Sequence, residues 1–286
     1  MLENRHPVFR ALWWSTNLLF CLAIISLIYS SFREYSVRQY LDGFSDAIVP
    51  NILPGEEKVE AILAWMRNAP SRAVATDTGK LSLRDPEITL NYKQLLAVCG
   101  TATNAFLNLA RSSDLQVRRL LLLDENRNTK HVVAEVLIDG RWIIVDPAYR
   151  IVMRDATGRM LTRGDLAKPD LFAQATSVVP NYPSVYSYER YAHVRIGRLP
   201  MVGLGLRRVL DWALPSWEEK ADWSLLLERE SFFVLFISAA VTIFLVFVRV
   251  VLAWFADRRL HVPRFHLRRY FQRAGAALFS TPEIHD

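Results

Sequence analysis

The sequence predicts an α+β domain held between two transmembrane helices. Two observations indicate the outer helices: residues 11–32 carry no charge over 22 positions, and residues 231–248 carry none over 18. A third observation indicates the domain between them, because helical patterns are followed by three apolar, strand-like runs separated by polar turns. Helices that precede an antiparallel meander are typical of the α+β class.

Both apolar runs are long enough to cross a membrane, which takes about 20 residues in an α-helix. We predict transmembrane helices over residues 11–32 and 231–256; the second continues past Arg249, whose long side chain can extend towards the interface. A cleaved signal peptide is the alternative for the first run. Its apolar stretch exceeds the usual ~7–15 residues and no small-x-small cleavage site follows it, so we expect an uncleaved anchor.

Arginines after the second span predict the orientation. They follow one another without an acidic residue between Arg258 and Arg273. The positive-inside tendency places residues 257–286 in the cytoplasm, and two spans then place residues 1–10 on the same side of the inner membrane. Residues 33–230 are expected outside it, in the periplasm of a Gram-negative cell. A basic run also occurs in nucleic-acid-binding proteins, but beside a span, topology and anionic lipid are the better explanation.

The outer segment begins with two predicted helices. Pro54 starts the first, whose apolar residues recur at helical spacing; they are Val59, Ile62, Leu63 and Met66. The second surrounds Cys99 and has its own stripe of apolar residues, which are Ala102, Phe106, Leu109 and Ala110. The domain core is predicted over about 54–195, and an interfacial helical segment over about 202–230 leads into the second span.

Three strands follow, and the last two form a hairpin. Asp139-Gly140 between the runs 131–138 and 141–146 is a strong two-residue turn signal. In that hairpin Asp146 lies opposite Val133 and therefore diagonal to His131, a separation that side chains can close. Trp142 is expected in the core.

Cys99 is the only cysteine of the outer segment, which excludes an internal disulfide and a cysteine-based zinc site. A thiol nucleophile needs a base to take its proton, and an imidazole base needs an acceptor that fixes its orientation. Taken singly, a buried cysteine, a core histidine and an Asp-Pro turn are commonplace. Together they predict a catalytic set of Cys99, His131 and Asp146, with no cofactor and no metal.

The run from Val98 to Arg150, with its Cys-initiated helix, "HVVAEV" and "DGRWIIVDP", resembles the transglutaminase-like cysteine-enzyme superfamily. The resemblance implies a papain-like core, a helix bearing Cys99 packed on an antiparallel sheet bearing His131 and Asp146. It also implies that Cys99 is the nucleophile, His131 the general base and Asp146 the orienting acid. The chain departs from the family pattern at Val133, at Ala97-Val98 and at Gly100-Thr101, which concerns pocket shape more than the three catalytic positions.

The resemblance implies an enzyme that acts on amide bonds through a Cys99 thioester, either by hydrolysis as a protease or amidase or by acyl transfer. Its expected partners are an envelope peptide or protein substrate, membrane lipid and membrane-complex proteins. The alternative is a catalytically inactive binding or scaffold subunit of an envelope or polysaccharide-export complex.

Other polar residues near these positions have weaker claims to a role. Glu135 shares the His131 face and is expected to be a solvated strand residue. Tyr92 and Gln94 are candidate oxyanion donors beside the Cys99 backbone N–H. His193 is expected at the surface, and the tyrosine-rich stretch 182–191 is compatible with a strand pair or with a ligand-facing surface.

Overall fold

A computed structural model describes residues 7–68, 86–90, 98–193, 208–209, 212–214, 225–226 and 229–260. The chain divides into two compact units, Met1–Ile28 with Ser238–Asp286, and Tyr29–Ile237. Tyr92, Gln94, the arginines beyond residue 260 and most of the expected interfacial segment lie outside the described residues.

The described elements are helices and the strands of one antiparallel sheet. The helices are α1 (Pro7–Ile48), α2 (Gly55–Asn68), α3 (Pro86–Thr89), α4 (Cys99–Ser112), α5 (Arg163–Leu166), α6 (Pro169–Thr176) and α7 (Glu230–Phe255). The strands are β1 (Val117–Leu123), β2 (Thr129–Ile138), β3 (Arg141–Asp146), β4 (Ile151–Val152) and β5 (Tyr191–Ala192). A π-helical turn, Ala256–Leu260, follows α7.

Among the residues that the structure describes, two helices are long and apolar enough to cross a membrane, Pro7–Ile48 and Glu230–Leu260. Within their unit, the hydroxyls of Ser26 and Ser238 lie 3.0 Å apart, and the Arg249 guanidinium stacks 4.8 Å from the ring centre of Phe20. Many of their large apolar side chains are exposed, as at Leu18 and Phe247. Such continuous apolar surfaces need lipid or protein to cover them.

The sheet has the order β4-β3-β2-β1-β5, and every neighbouring pair is antiparallel. The predicted hairpin register is confirmed, since Ile138 pairs with Arg141. Asp139 and Gly140 both have positive φ, 49° and 74°. Two such residues are what a tight hairpin turn matched to the strand twist requires.

Helices α2 and α4 cover one face of the sheet. The apolar stripes predicted for both are confirmed, because all eight of their residues are buried in a single cluster with Ala134, Val136 and Val145. The other face carries a second cluster, in which Leu120, Val133 and Ile144 pack beneath α5, α6 and the loop that ends at Tyr188. This second layer covers the face of the sheet on which His131 lies.

A buried ion pair between Glu34 and Arg229, with hydrogen bonds to Ser231 and Asn108, links residues 29–48 of α1 to the start of α7 and to α4. Glu34 accepts from Arg229 Nη1 at 2.9 Å and from Ser231 Oγ at 2.7 Å, and Arg229 Nε donates to Asn108 Oδ1 at 3.2 Å. All four residues are at most 5% exposed. Because Asn108 lies on α4, this network fixes the helix that begins with Cys99.

Candidate active site

Cys99 is the first residue of α4 and is partly exposed. The helix start is held by the Thr101 hydroxyl, which accepts from the Val98 N–H at 3.2 Å, and by Thr103, which donates to the Val132 carbonyl at 2.9 Å. The second bond ties the first turn of α4 to strand β2. Backbone N–H groups at a helix start have no intrahelical acceptor and favour a nearby negative charge, here a thiolate or an oxyanion.

His131 and Asp146 form a buried pair at the open end of the β2–β3 hairpin, away from its turn. Their Nε2 and Oδ2 atoms are 2.7 Å apart, and neither side chain is more than 1% exposed. The diagonal arrangement follows from the register, since Ala134 pairs with Val145 and the two polar residues extend beyond that pair. The other carboxylate oxygen of Asp146 accepts from the backbone N–H groups of Ala148 and Tyr149 at 3.1 and 3.3 Å.

The structure brings the Cys99 thiol to His131 as well, and the two groups change one another's acidity. Burial by itself raises the pKa of Cys99, but the hydrogen bond and positive charge of His131 outweigh it, so that the pKa is lowered from its ordinary value. Burial likewise lowers the pKa of His131, and the hydrogen bonds to Asp146 and Cys99 overcome this and raise it to about 9. Between these two pKa values the pair exists as a thiolate and an imidazolium.

Three tyrosines surround the imidazole. The Tyr186 ring stacks parallel to it, with centroids 4.3 Å apart and planes 2° apart. Tyr149 and Tyr182 approach at steeper angles, with centroids 5.9 and 6.5 Å from the imidazole. The Tyr182 hydroxyl also donates to Asp146 Oδ2 at 2.9 Å.

None of these three tyrosines was assigned a role by sequence reasoning. The available signal for Tyr182 and Tyr186 is the run of tyrosines at 182, 186, 188 and 191, which is compatible with a strand pair or with a ligand-facing surface. Only Tyr191 and Ala192 form a strand, and the residues before them make a loop against His131.

Two expectations for polar residues were wrong. Glu135 is 2% exposed, not solvated, and forms ion pairs with Arg118 and with His193, whose Nε2 lies 3.4 Å from Oε2. His193 is also 2% exposed and so is not a surface residue. The expectation that Trp142 is a core residue also fails, because its ring is only partly buried and stacks under the Arg118 guanidinium at 4.1 Å.

Residues 42–147 match the family model of the transglutaminase-like superfamily. The chain carries a transglutaminase-like domain. The matched range contains Cys99 and His131 and ends one residue after Asp146. No curated protein and no solved structure gave a match of significance.

The transglutaminase-like domain packs helices on an antiparallel sheet and so belongs to the α+β class. The two apolar helices flank it in the sequence. Among the described residues, no three His, Cys, Asp or Glu side chains come together as a metal site.

Proposed function

We propose that the chain is a membrane-anchored thiol enzyme that acts on amide bonds through a Cys99 thioester. The observation that carries the proposal is the buried 2.7 Å contact between His131 and Asp146, beside a thiol whose pKa His131 lowers. A nucleophile, a base and a group that orients the base are the three parts that such catalysis requires.

The bond changes follow from this geometry. The Cys99 thiolate attacks the amide carbonyl carbon, and the oxyanion lies at the N-terminus of α4, where backbone N–H groups favour negative charge. Asp146 holds His131 through Nε2, so Nδ1 is the nitrogen that gives its proton to the departing amine as the C–N bond breaks. Water or an amine then attacks the thioester carbonyl carbon and gives its proton to His131, and the C–S bond breaks to release the acid or new amide and restore the Cys99 thiolate.

The substrate side of the proposal is a peptide or protein at the cell envelope. It is supported by the apolar helices that flank the domain, since a domain joined to a membrane at both ends acts near its surface. The arginines after the second helix support cytoplasmic termini and a periplasmic domain at the inner membrane. Water as the attacking group makes the enzyme a protease or amidase, and an amine makes it an acyltransferase.

Alkylation of Cys99 by iodoacetamide across pH tests the proposal. In the full-length chain we expect reaction well below the ordinary pKa of a thiol, and we expect His131→Ala to move the reaction to higher pH. Lys130→Ala is the matched control, because this exposed neighbour on β2 makes only a surface ion pair. A Cys99 that reacts as an ordinary thiol in both proteins would instead favour the inactive scaffold subunit.

A further inference from the structure

The Asp146 carboxylate accepts more hydrogen bonds than the single one with which it orients His131. It is 0% exposed and accepts four hydrogen bonds, two at each oxygen. Three donors come from the hairpin and the turn that follows it. The fourth is the Tyr182 hydroxyl, 36 residues further along the chain, which shares Oδ2 with His131.

The loop that carries Tyr182 also contacts the imidazole directly. Tyr186 from the same loop covers one face of the His131 ring in a parallel stack. The titratable groups that face His131 are Cys99 from α4, Asp146 from β3, Tyr149 from the turn after β3, and Tyr182 and Tyr186 from the loop. One loop thus contacts both members of the His–Asp pair.

We propose that Tyr182 is a positioning residue of the thiol site, whose hydroxyl holds the Asp146 carboxylate in the orientation that directs His131 towards Cys99. The inference rests on the proposed function, because orienting His131 matters only if Cys99 is the nucleophile. Nothing in the family match identifies Tyr182, which lies 35 residues beyond its end.

The Tyr182 hydroxyl also affects the charge of the His131 ring. Burial, the neighbouring Tyr188 and the Asp146 carboxylate raise the pKa of Tyr182 far above its ordinary value, so it remains a neutral donor. The positive end of its O–H dipole points at Oδ2, next to His131 Nε2, and there it opposes the positive charge of the imidazolium. Removing the hydroxyl therefore leaves the full carboxylate charge to His131 and raises the pKa of His131.

The test is the pH profile of Cys99 alkylation by iodoacetamide in the full-length chain in detergent. Mass spectrometry of the Cys99 peptide separates this reaction from labelling of Cys21. We expect the wild-type profile to have a lower inflection from Cys99 and an upper one from His131. In Tyr182→Phe we expect the upper inflection to rise by about 0.5–1 pH unit, since a typical hydrogen bond contributes about 0.5–1.5 kcal/mol and one pH unit corresponds to 1.36 kcal/mol.

A second replacement moves the same inflection in the opposite direction. With 3-fluorotyrosine in place of Tyr182 the hydroxyl is a stronger donor, so the upper inflection falls. Tyr35→Phe removes the same hydroxyl from an exposed ring on α1 and leaves both inflections unchanged. Agreement with these directions supports Tyr182 as a positioning residue.

Two results would contradict the inference, and they differ in whether the proposed function survives. A two-step wild-type profile that neither replacement at 182 shifts would leave the proposed function standing and reduce Tyr182 to a packing residue. A wild-type profile with one ordinary thiol inflection, unchanged by His131→Ala, would overturn the proposed function and this inference with it.

Discussion

Replacing Asp146 by asparagine removes the charge that holds His131 protonated. The wild-type pKa of His131 is about 9, against an ordinary value of 6.5. The difference of about 2.5 units corresponds to roughly 3 kcal/mol of preference for the imidazolium, at 1.36 kcal/mol per unit. Without the carboxylate, burial, the largest single influence, still lowers the pKa and only the individually smaller effects of Cys99 raise it, so we expect a pKa near or below 6.5.

The populations at pH 7.5 show the size of the effect. A group of pKa 9 is about 97% protonated there, whereas one at or below 6.5 is at most about 9% protonated. In Asp146→Asn we therefore expect the imidazolium to be lost at neutral pH. The pKa of Cys99 then rises, because the positive charge that opposed the burial of its thiolate is gone.

Two measurements check this prediction on the full-length chain. NMR titration of the His131 ring reports its pKa directly, and iodoacetamide alkylation reports the Cys99 thiolate, which we expect to form only at higher pH in the variant. Asp170→Asn on the first turn of α6 is the control, since it removes an equal charge at an exposed position. A variant that keeps the His131 pKa near 9 would refute the argument that Asp146 sets it.

Three further predictions concern stability and topology. Glu34→Ala leaves the buried Arg229 guanidinium without its carboxylate, and we expect it to lower the unfolding free energy by about 3–5 kcal/mol. The control Arg38→Ala, on a side chain 53% exposed, is expected to cost about 1 kcal/mol or less. Thermal melts in detergent compare the two variants. Gly140→Ala places a Cβ at φ 74°, where no neighbouring atom lies within 4 Å, so its cost is the backbone strain of about 1–2 kcal/mol and Cys99 reactivity is retained. Alkaline phosphatase, which is active only outside the cytoplasm, is expected to be active when fused after Thr157 and inactive when fused after Asp286; the reverse pattern would contradict the proposed orientation.

The parts of the fold that could be predicted are those that depend on local pattern. Helix α2, the stripe of α4 and the β2–β3 hairpin follow from periodicity and from Asp139-Gly140. The closeness of His131 and Asp146 follows too, because a two-residue turn determines the register and the register determines which side chains are diagonal.

The burial of Glu135 and His193 could not be predicted, for a physical reason. Strand alternation gives the face on which Glu135 lies, but not what covers that face. The cover includes α5, α6 and the loop before β5, segments that follow later in the chain and carry weak patterns of their own. The fate of an acidic strand residue depends on the partners that it meets in the folded chain, here Arg118 on the neighbouring strand β1 and His193 directly after β5.

The sequence by itself determined the two apolar helices, the α+β order and the pairing of His131 with Asp146, since each depends on the length of a run or the spacing of neighbours along it. Only the tertiary structure decided that the Cys99 thiol lies beside His131, and that the Tyr182 hydroxyl reaches Asp146. These contacts join segments 32 to 36 residues apart. Their closeness comes from packing on both faces of the sheet, and local spacing does not encode it.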